Sequence, residues 1–416
     1  MVTPIIHRLR GIIQLHLFLF GFRWEYVVGI AGFALGTLGS IIEPPVSIFG
    51  LSVAVISALL GLILFWKDTL EIRRAEKDLY EVRITSDRLK SLQKSSKYSG
   101  HKVINFHERY AIYSSEVNQL LGNKNLEFEF ESKKFRMNQV ARSIAPFVLR
   151  TAFKSERILF NSPKVRLKSD LTTTGMLSGS KVLLQQTDYF SSICTNEMIC
   201  KEVWSRRANA QIFDGLSLMS NNRILLDLIE SKCSNHIGIS TLTFTNDGKM
   251  IVTVQSAESA QSAGLLAPSG SGSADIEDLE GVSTNFQDFI TNAMARELIE
   301  ECGLVDNIDG LVKTRLIGFS RLLNRGGKPE FFGVSFLNIS FDALRITGKE
   351  AVFIANIMEI RVNQTNITEF KSALNRFQRE HQGRFSFLLY IHLKFLMDYL
   401  ESSPNFLLSL VTPQDP

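Results

Sequence analysis

The sequence predicts two N-terminal transmembrane α-helices followed by a cytoplasmic α/β domain built as a layered sandwich, and three observations carry that expectation. Two long runs without a charge lie close together near the N-terminus. Further on, strand-like segments enclose one helix and a terminal helical pattern follows, the order of an α/β sandwich. The enclosed helix carries "RELIEECGL", Arg296 to Leu304, with Glu297, Glu300 and Glu301 packed into five positions.

The first apolar run, "YVVGIAGFALGTLGSII", extends from Tyr26 to Ile42, and the second, "VSIFGLSVAVISALLGLILFW", from Val46 to Trp66. Each reaches the ~17–25 residues a helix needs to cross ~30 Å of hydrocarbon. Pro44 and Pro45 between them predict a tight turn. Neither run has the polar face of a soluble core helix, and no small-residue cleavage site separates them as in a signal peptide. Arg8, Arg10 and Arg23 precede the pair and Lys67, Arg73, Arg74 and Lys77 follow it, which places both ends in the cytoplasm. Trp24, Tyr26 and Trp66 stand where interfacial aromatics belong. The leading "IIQLHLFLFGF" is too short to span and reads as an interfacial helix. Gly29, Gly32, Gly36 and Gly39 give the first run a small-residue face, for packing copies together or for packing within the hairpin. With no intramembrane charge, the hairpin does not read as a transporter or conduction path.

The chain divides into an interfacial segment (1–24), the hairpin (25–66), a charged helical stalk and linker (67–102), an α/β region (103–234) and a second α/β domain (235–416). Ile72, Ala75, Leu79, Val82 and Leu89 form a heptad seam in the stalk, interrupted at Ser86, and "KSSKYSGHK" reads as linker. "NQVARSIAPFVLRTAF" has a helical pattern, "KVRLKS" and "KVLLQQ" those of short strands. "HIGISTLTFTNDGKMIVTVQS" is two strands about an Asp-Gly turn, and "TRLIGFSRLL" and "EFFGVSFLNI" are strands about "NRGGKP". A helix is predicted from about Asn285 to Cys302, and a terminal helical pattern broken at Gly383.

With 46 basic and 42 acidic residues the net charge is +4, too small to suggest bulk nucleic acid as a partner. The four cysteines are scattered, and Cys233 with His236 makes a lone C-x-x-H, so reduced thiols rather than a zinc site are expected. In "QQTDYFSSICTNEMICKEVW", Tyr189 and Phe190 stand near Thr195 and Asn196, which read as core aromatics and a helix cap.

On a helix, residues three and four apart share a face, so Glu297, Glu300 and Glu301 converge. Such like charges are tolerated where water or a cation intervenes, and a hard cation such as Mg²⁺ takes one or two carboxylates alongside phosphate and water. An acidic solvent-facing surface is the other reading of the same three residues.

R-E-L-I-E-E-C-G-L matches the second half of the Nudix box, G-x5-E-x7-R-E-U-x-E-E-x-G-U with U aliphatic, at every fixed position. The resemblance implies a Nudix-like α/β/α sandwich, with Glu297, Glu300 and Glu301 as ligands of Mg²⁺ or Mn²⁺ and Arg296 orienting the helix through a carboxylate. The first half departs from the box: Asp288 stands where the family has Glu, and Val282 where it has Gly. Either Gly281 stands one place early, or Gly270 or Gly272 of "APSGSGS" is the box glycine and the loop has grown by insertion; "LLAPSGSG" fits the second. The combination of transmembrane helices, Nudix box and "QQTDYFSSICTNE" resembles the transmembrane Nudix effectors associated with bacterial CD-NTases in CBASS antiphage defence.

That resemblance implies an inner-membrane protein whose Nudix-like domain binds a cyclic di- or oligonucleotide, driving self-association of the membrane helices and impairment of the bilayer. Tyr189, Phe190, Thr195 and Asn196 become ligand candidates with it, as do Arg315, Arg321, Arg325 and Phe331 on or near the strands after the box, for phosphate pairing or base stacking. The alternative is a membrane-anchored, metal-dependent hydrolase of a nucleoside diphosphate derivative, with Glu300 or Glu301 as catalytic base.

Overall fold

The computed structural model describes residues 2–20, 31–35, 37–38, 46–85, 87–92, 94–98, 100–154, 160–256, 264–302, 311–344 and 354–403. The chain forms two compact units, one from Met1–Arg83, Met137–Ser162 and Lys201–Asp214, the other from Ile84–Arg136, Pro163–Cys200 and Gly215–Pro416. Helix, strand and loop therefore alternate between units along the sequence, and the expected boundary at 234/235 is not where the compact units divide.

In the first unit, helix α1 (Val2–Phe20) and helix α2 (Val46–Asp78) are joined by a third helix, α3 (Gln139–Lys154). The 33 residues of α2 make ~50 Å of helix, about 20 Å more than the hydrocarbon layer, and the surplus is the charged end. Residues Ile48–Asp78 are long and apolar enough to cross a membrane, and only 17% of their apolar window is buried, which a soluble core helix would not show. The first predicted span lies outside the described residues except for 31–35 and 37–38, which are helical. Within them, a Cβ on Gly32 would fall 2.4 Å from Ser57 Oγ of α2, so this glycine lets its helix pack closely on α2. Pro44, Pro45, Gly29, Gly36, Gly39, Trp24 and Tyr26 lie outside the described residues.

Helix α1 buries Leu15 and stacks His16 on Phe65 of α2 at 4.5 Å, while Ile13 and Leu17 stay exposed. It is thus a full helix packed on its neighbour, longer than the short interfacial segment expected. The Gln14 amide exchanges two hydrogen bonds with the Asn161 backbone, at 3.2 and 2.8 Å. Glu76 of α2 accepts ion pairs from Arg150 at 3.2 Å and Lys154 at 3.0 Å, both on α3.

The expected stalk does not continue as helix. At Asp78 the carboxylate accepts the Arg207 N–H at 2.8 Å and the Ser205 hydroxyl at 2.9 Å, and the chain turns into the strand Leu79–Arg83 of a three-stranded sheet with Lys201–Ser205 and Ala210–Asp214. The Arg207 amide and the Ser205 hydroxyl hold the Asp78 carboxyl below its usual range. The heptad seam is broken by this change of period: Ile72 and Leu79 are buried, but Val82 sits on a strand and is exposed.

The second unit is built on a nine-stranded sheet. Its strands are β1 (Lys102–Phe106), β2 (Arg109–Tyr113), β3 (Gly238–Thr245), β4 (Lys249–Gln255), β5 (Leu266–Pro268), β6 (Gly270–Ser273), β7 (Val312–Leu322), β8 (Lys328–Leu337) and β9 (Ile354–Arg361). The order is β5-β4-β3-β8-β7-β2-β1, with β6 on β3 and β9 on β4. Strands β3 and β8 run parallel at the centre, Gly238 opposite Glu330 through Thr245 opposite Leu337. All residues of both are buried, as expected for central strands covered on both faces, and "FFGVSFL" is mostly apolar. The Asp-Gly turn closes the β3–β4 hairpin with Gly248 at φ +75°, and Gly326 and Gly327, at +71° and +69°, close β7–β8.

Helix α4 (Phe286–Glu301) covers one face, packing Phe289, Ile290 and Met294 on Ile239, Leu316 and Phe331. Helices α5 (Ile367–His381) and α6 (Phe387–Ser402) cover the other, over Leu242, Phe332 and Val334. This is the α/β/α layering expected, with one addition. The "KSSKYSGHK" segment is not a free linker: Tyr98 is 2% exposed, and its hydroxyl bonds Asp170.

His392 on α6 is fully buried, its Nε2–H donating to Gly333 O at 2.7 Å. Burial pushes the imidazole down to about 3, against the opposing pull of that hydrogen bond. Because the unfolded chain takes up this proton first, stability present at neutral pH is lost as pH falls from about 6.5 towards 3, by about 1.4 kcal/mol per unit. Denaturant unfolding of His392→Gln between pH 7 and 5 should show a shallower fall than the parent chain; identical slopes would remove His392 as the cause.

Candidate functional site

The box helix starts where the sequence places it. Asn285 caps α4, its Oδ1 accepting the N–H groups of Gln287 at 2.9 Å and Asp288 at 3.3 Å, and Cys302 closes it with an N–H to Leu298 O at 2.9 Å. Gly303 and Leu304 lie outside the described residues.

Beside the last turns of α4 runs β6, the "GSGS" of the small-residue loop. A Cβ on Gly270 would lie 3.0 Å from Leu298 Cα, and one on Gly272 would lie 2.2 Å from the Glu297 carboxylate. Glycine at both positions lets the strand approach until its amides reach the helix's acids. Ser271 N donates to Glu301 Oε1 at 3.2 Å and Ser273 N to Glu297 Oε1 at 3.4 Å. Glu297 and Glu301, four residues apart, therefore face the strand and are 9% and 5% exposed, while the Glu300 side chain is 47% exposed.

Arg296 gathers the surrounding acids. It grips Asp278 in a two-pronged pair, Nε to Oδ1 at 2.6 Å and Nη2 to Oδ2 at 3.0 Å, and reaches Glu297 at 3.1 Å, Glu300 at 3.4 Å and Ser273 O at 3.2 Å. Burial opposes its charge, yet the Asp278 hydrogen bonds and the Glu297, Asp278 and Asp275 carboxylates raise the guanidinium above its ordinary value. Asp278 is itself fixed by the Asp275 N–H at 2.7 Å, and Asp275 pairs with Lys164.

This corrects the assignment of Asp288. That residue is exposed at the start of α4, and the carboxylate that orients the helix through Arg296 is Asp278. The spacing explains the difference: Gly272-x5-Asp278 reproduces the first half of the box, and seventeen residues rather than seven then separate Asp278 from Arg296. The loop has grown by ten residues between the two halves. Gly272 fills the place of the box glycine, whereas Gly281, at φ +72°, is a turn residue with nothing near its Cβ position. Replacing Gly272 by Ala should destabilise the unit, and much of that loss should vanish in a Glu297→Ala background, because the clash is with that carboxylate; additive effects in thermal denaturation would contradict the contact.

The ligand candidates separate into two groups. Phe331 is 0% exposed among Phe286 and Phe319, and Phe190 is likewise buried, so neither offers a face to a base in this structure. Arg321 is 1% exposed and bonds Gly327 O, Leu226 O and the Tyr98 hydroxyl, a core role. Arg315 is partly buried, with Nη2 3.3 Å from Gly122 O. Thr195 and Asn196 are buried too: Thr195 Oγ1 donates to Ser191 O at 2.6 Å and accepts from Ser234 N at 3.0 Å, and Asn196 exchanges bonds with Asn235 and donates to Arg325 O at 2.8 Å. Tyr189, Asn196 and Arg325 come together at one place, where Arg325 pairs with Glu197.

Close to them lies a pair the sequence does not single out. Lys328 and Glu330, 2% and 1% exposed, bond at 2.8 Å in a space that Gly238 leaves open; its Cβ would fall 1.9 Å from Glu330 Oε2. Burial lowers the Lys328 ammonium to about 8, with Glu330 opposing and Arg325 adding to the shift. The readable signal was two charges inside an apolar strand, "KPEFFGVSFL".

As a cation site, the box offers oxygen donors of the kind Mg²⁺ and Mn²⁺ take. Among the described residues no three His, Cys, Asp or Glu side chains are placed together to hold a metal ion: Glu297 and Glu301 each turn an oxygen to β6, and Arg296 Nη1 stands between Glu297 and Glu300.

No family model and no curated protein matches the chain. Among solved structures it is similar to DR0079 from Deinococcus radiodurans (14% identity, TM-score 0.26, covering 38% of this chain and 81% of that one) and to the MutT protein from Methanosarcina mazei (16%, 0.21, 35% and 94%). A third is a bifunctional NMN adenylyltransferase/ADP ribose pyrophosphatase from Francisella tularensis (16%, 0.23, 35% and 41%). The spacing of the box is carried by Gly272-x5-Asp278, then Arg296, Glu297, Glu300 and Glu301 on one helix, with Asp for Glu at the first acid and ten residues inserted between the halves.

Proposed function

We propose that this chain is a membrane-attached nucleotide sensor of the CBASS type, whose Nudix-like unit binds a cyclic di- or oligonucleotide and whose apolar helices then self-associate and impair the inner membrane. The observation that carries the reading is the state of the box. Its helix is complete, but the connection between its halves is ten residues longer and two of its three glutamates are engaged by the amides of β6. Such an arrangement favours holding a phosphate-bearing ligand over turning it over. Glu297, Glu300 and Glu301 are the residues that would hold Mg²⁺ or Mn²⁺, and the metal would supply positive charge to phosphate oxygens. The exposed apolar helix Ile48–Asp78 supports an effect exerted at a bilayer.

The second reading, a membrane-anchored Nudix hydrolase with Glu300 or Glu301 as base, is favoured by the intact "RELIEE" and by the exposure of Glu300. The two differ in what happens to the ligand. With the full chain in detergent, cyclic di- and trinucleotides are screened for thermal stabilisation, and the stabilising one is incubated with Mg²⁺ or Mn²⁺. The sensor reading expects a raised midpoint and intact nucleotide after long incubation; prompt release of a mononucleotide would replace it with the hydrolase, and no stabilisation by any of them would remove it.

A further inference from the structure

The charged end of α2 carries a cationic surface whose level the burial pattern fixes. From Ile48 to Trp66 the helix exposes large apolar side chains, and Trp66 itself is 65% exposed. Past Trp66 the pattern inverts: Leu70 is half-buried and Ile72 buried, while Lys67, Arg73, Arg74 and Lys77 are exposed. An open tryptophan at the end of an apolar surface suits the boundary between hydrocarbon and headgroups. Helix α1 meets α2 at the same level, His16 stacking on Phe65, and leaves Ile13 and Leu17 exposed one turn apart, with Arg10 exposed three residues before them. On the reading that α2 crosses a bilayer, the inversion at Trp66 marks the edge of the hydrocarbon.

We infer that the face of α2 just past this edge binds the headgroups of anionic phospholipids, with Lys67, Arg73 and Arg74 as the contacts. The inference rests on the membrane attachment proposed above and adds a lipid partner to it. At 3.6 residues per turn, Lys67, Arg73, Arg74 and Lys77 fall within about a third of the helix circumference, opposite Asp68 and Ile72. No acid shares that third. Asp68 is 0% exposed, Glu76 is taken by Arg150 and Lys154 of α3, and Glu71, half-buried, lies outside it. Lys67 follows Trp66 directly, and Arg73 and Arg74 lie about 10–12 Å further along the axis. The headgroup layer is about 5–8 Å deep on each side of the hydrocarbon. Every Cα–Cβ bond tilts toward the helix N-terminus, which here is toward the bilayer, so the long arginine side chains reach back across the difference. Their guanidinium groups match phosphate oxygens two at a time. Lys77, about 17 Å from the edge, stands beyond the layer. A soluble phosphate has nothing to hold it at this level, whereas a lipid phosphate is held there by its acyl chains.

Trp66 reports the contact from the adjoining position. The full chain is reconstituted in phosphatidylcholine vesicles containing brominated phosphatidylcholine or brominated phosphatidylglycerol, whose bromines quench a neighbouring indole, with the Trp66→Phe chain as background. Quenching should correspond to a preference of at least about fivefold for the anionic lipid at low salt, the effect of one cation at a charged surface. The preference should weaken as salt brings the Debye length below ~10 Å. Lys67→Gln, Arg73→Gln and Arg74→Gln together should reduce it to less than about twofold, and Arg73→Lys with Arg74→Lys should keep most of it, because the charge stays. Equal quenching by the two lipids, or a preference that survives the three glutamines, would overturn the inference and leave membrane attachment standing. Quenching by neither lipid would remove membrane attachment and the lipid site with it.

Discussion

Arg296→Ala is expected to lower the stability of the second unit by about 3 kcal/mol, because it leaves the Asp278 carboxylate, whose side chain is 4% exposed, without its two-pronged partner. Ser273 O and Glu297 lose the same donor, so the approach of β6 to α4 loosens with it. Arg296→Lys should recover less than half of the loss, since an ammonium cannot match both oxygens at once. Pairing Arg296→Met with Asp278→Leu should recover most of it, because the uncompensated buried charge is then removed with its partner. Chemical denaturation of the full chain in detergent reads all three; an unchanged Arg296→Ala midpoint would mean that the acids around it are solvated well enough to need no cation. Asp288→Ala serves as the contrast, with an effect within about 0.5 kcal/mol expected for an exposed residue.

Arg321→Met should cost more, about 3–5 kcal/mol at neutral pH. The guanidinium and the Asp170 carboxylate are each 1% exposed and 3.7 Å apart, and Nε and Nη1 of Arg321 donate to Gly327 O, Leu226 O and the Tyr98 hydroxyl. Burial already lifts the Asp170 carboxyl above its ordinary value, and Arg321 is the largest influence pulling it back. Without Arg321, burial lifts the Asp170 carboxyl further, with the Leu228 N–H and Lys97 still opposing it, so the penalty falls on the charged form. The loss is therefore expected to shrink as pH is lowered through the carboxylate's raised titration range. Unfolding measured from pH 7 to 5 decides it: a loss independent of pH would point to packing alone. Since the residue is buried, the same variant distinguishes a structural arginine from a phosphate-binding one, for the effect appears without any nucleotide present.

What proved legible in the sequence was local. The two ends of α4 near Asn285 and Cys302, the Asp-Gly hairpin of β3–β4 and the break at Gly383 depend on neighbours within a few residues, and they stand where expected. The failures share a cause. Asp78 ends α2 through Ser205 and Arg207, more than 120 residues away, so a heptad count cannot see the strand that follows. Tyr98 looks like linker because its partners, Asp170 and Arg321, are equally remote. The inserted loop was readable in "LLAPSGSG", but Asp288 stands at the family's spacing, and only the fold sets Asp278 against Arg296 in its place.

By itself, then, the sequence determined which segments are apolar enough for a bilayer, which alternate as strands, and that three glutamates share a helix face with an arginine, because hydropathy and periodicity are properties of the chain. Tertiary structure alone decided which of those groups meet. It turned Glu297 and Glu301 onto the amides of β6, set Asp278 against Arg296, and withdrew Arg321 and Phe331 into the core. Burial and partner, which fix the charge and reach of each side chain, arise only when distant segments pack.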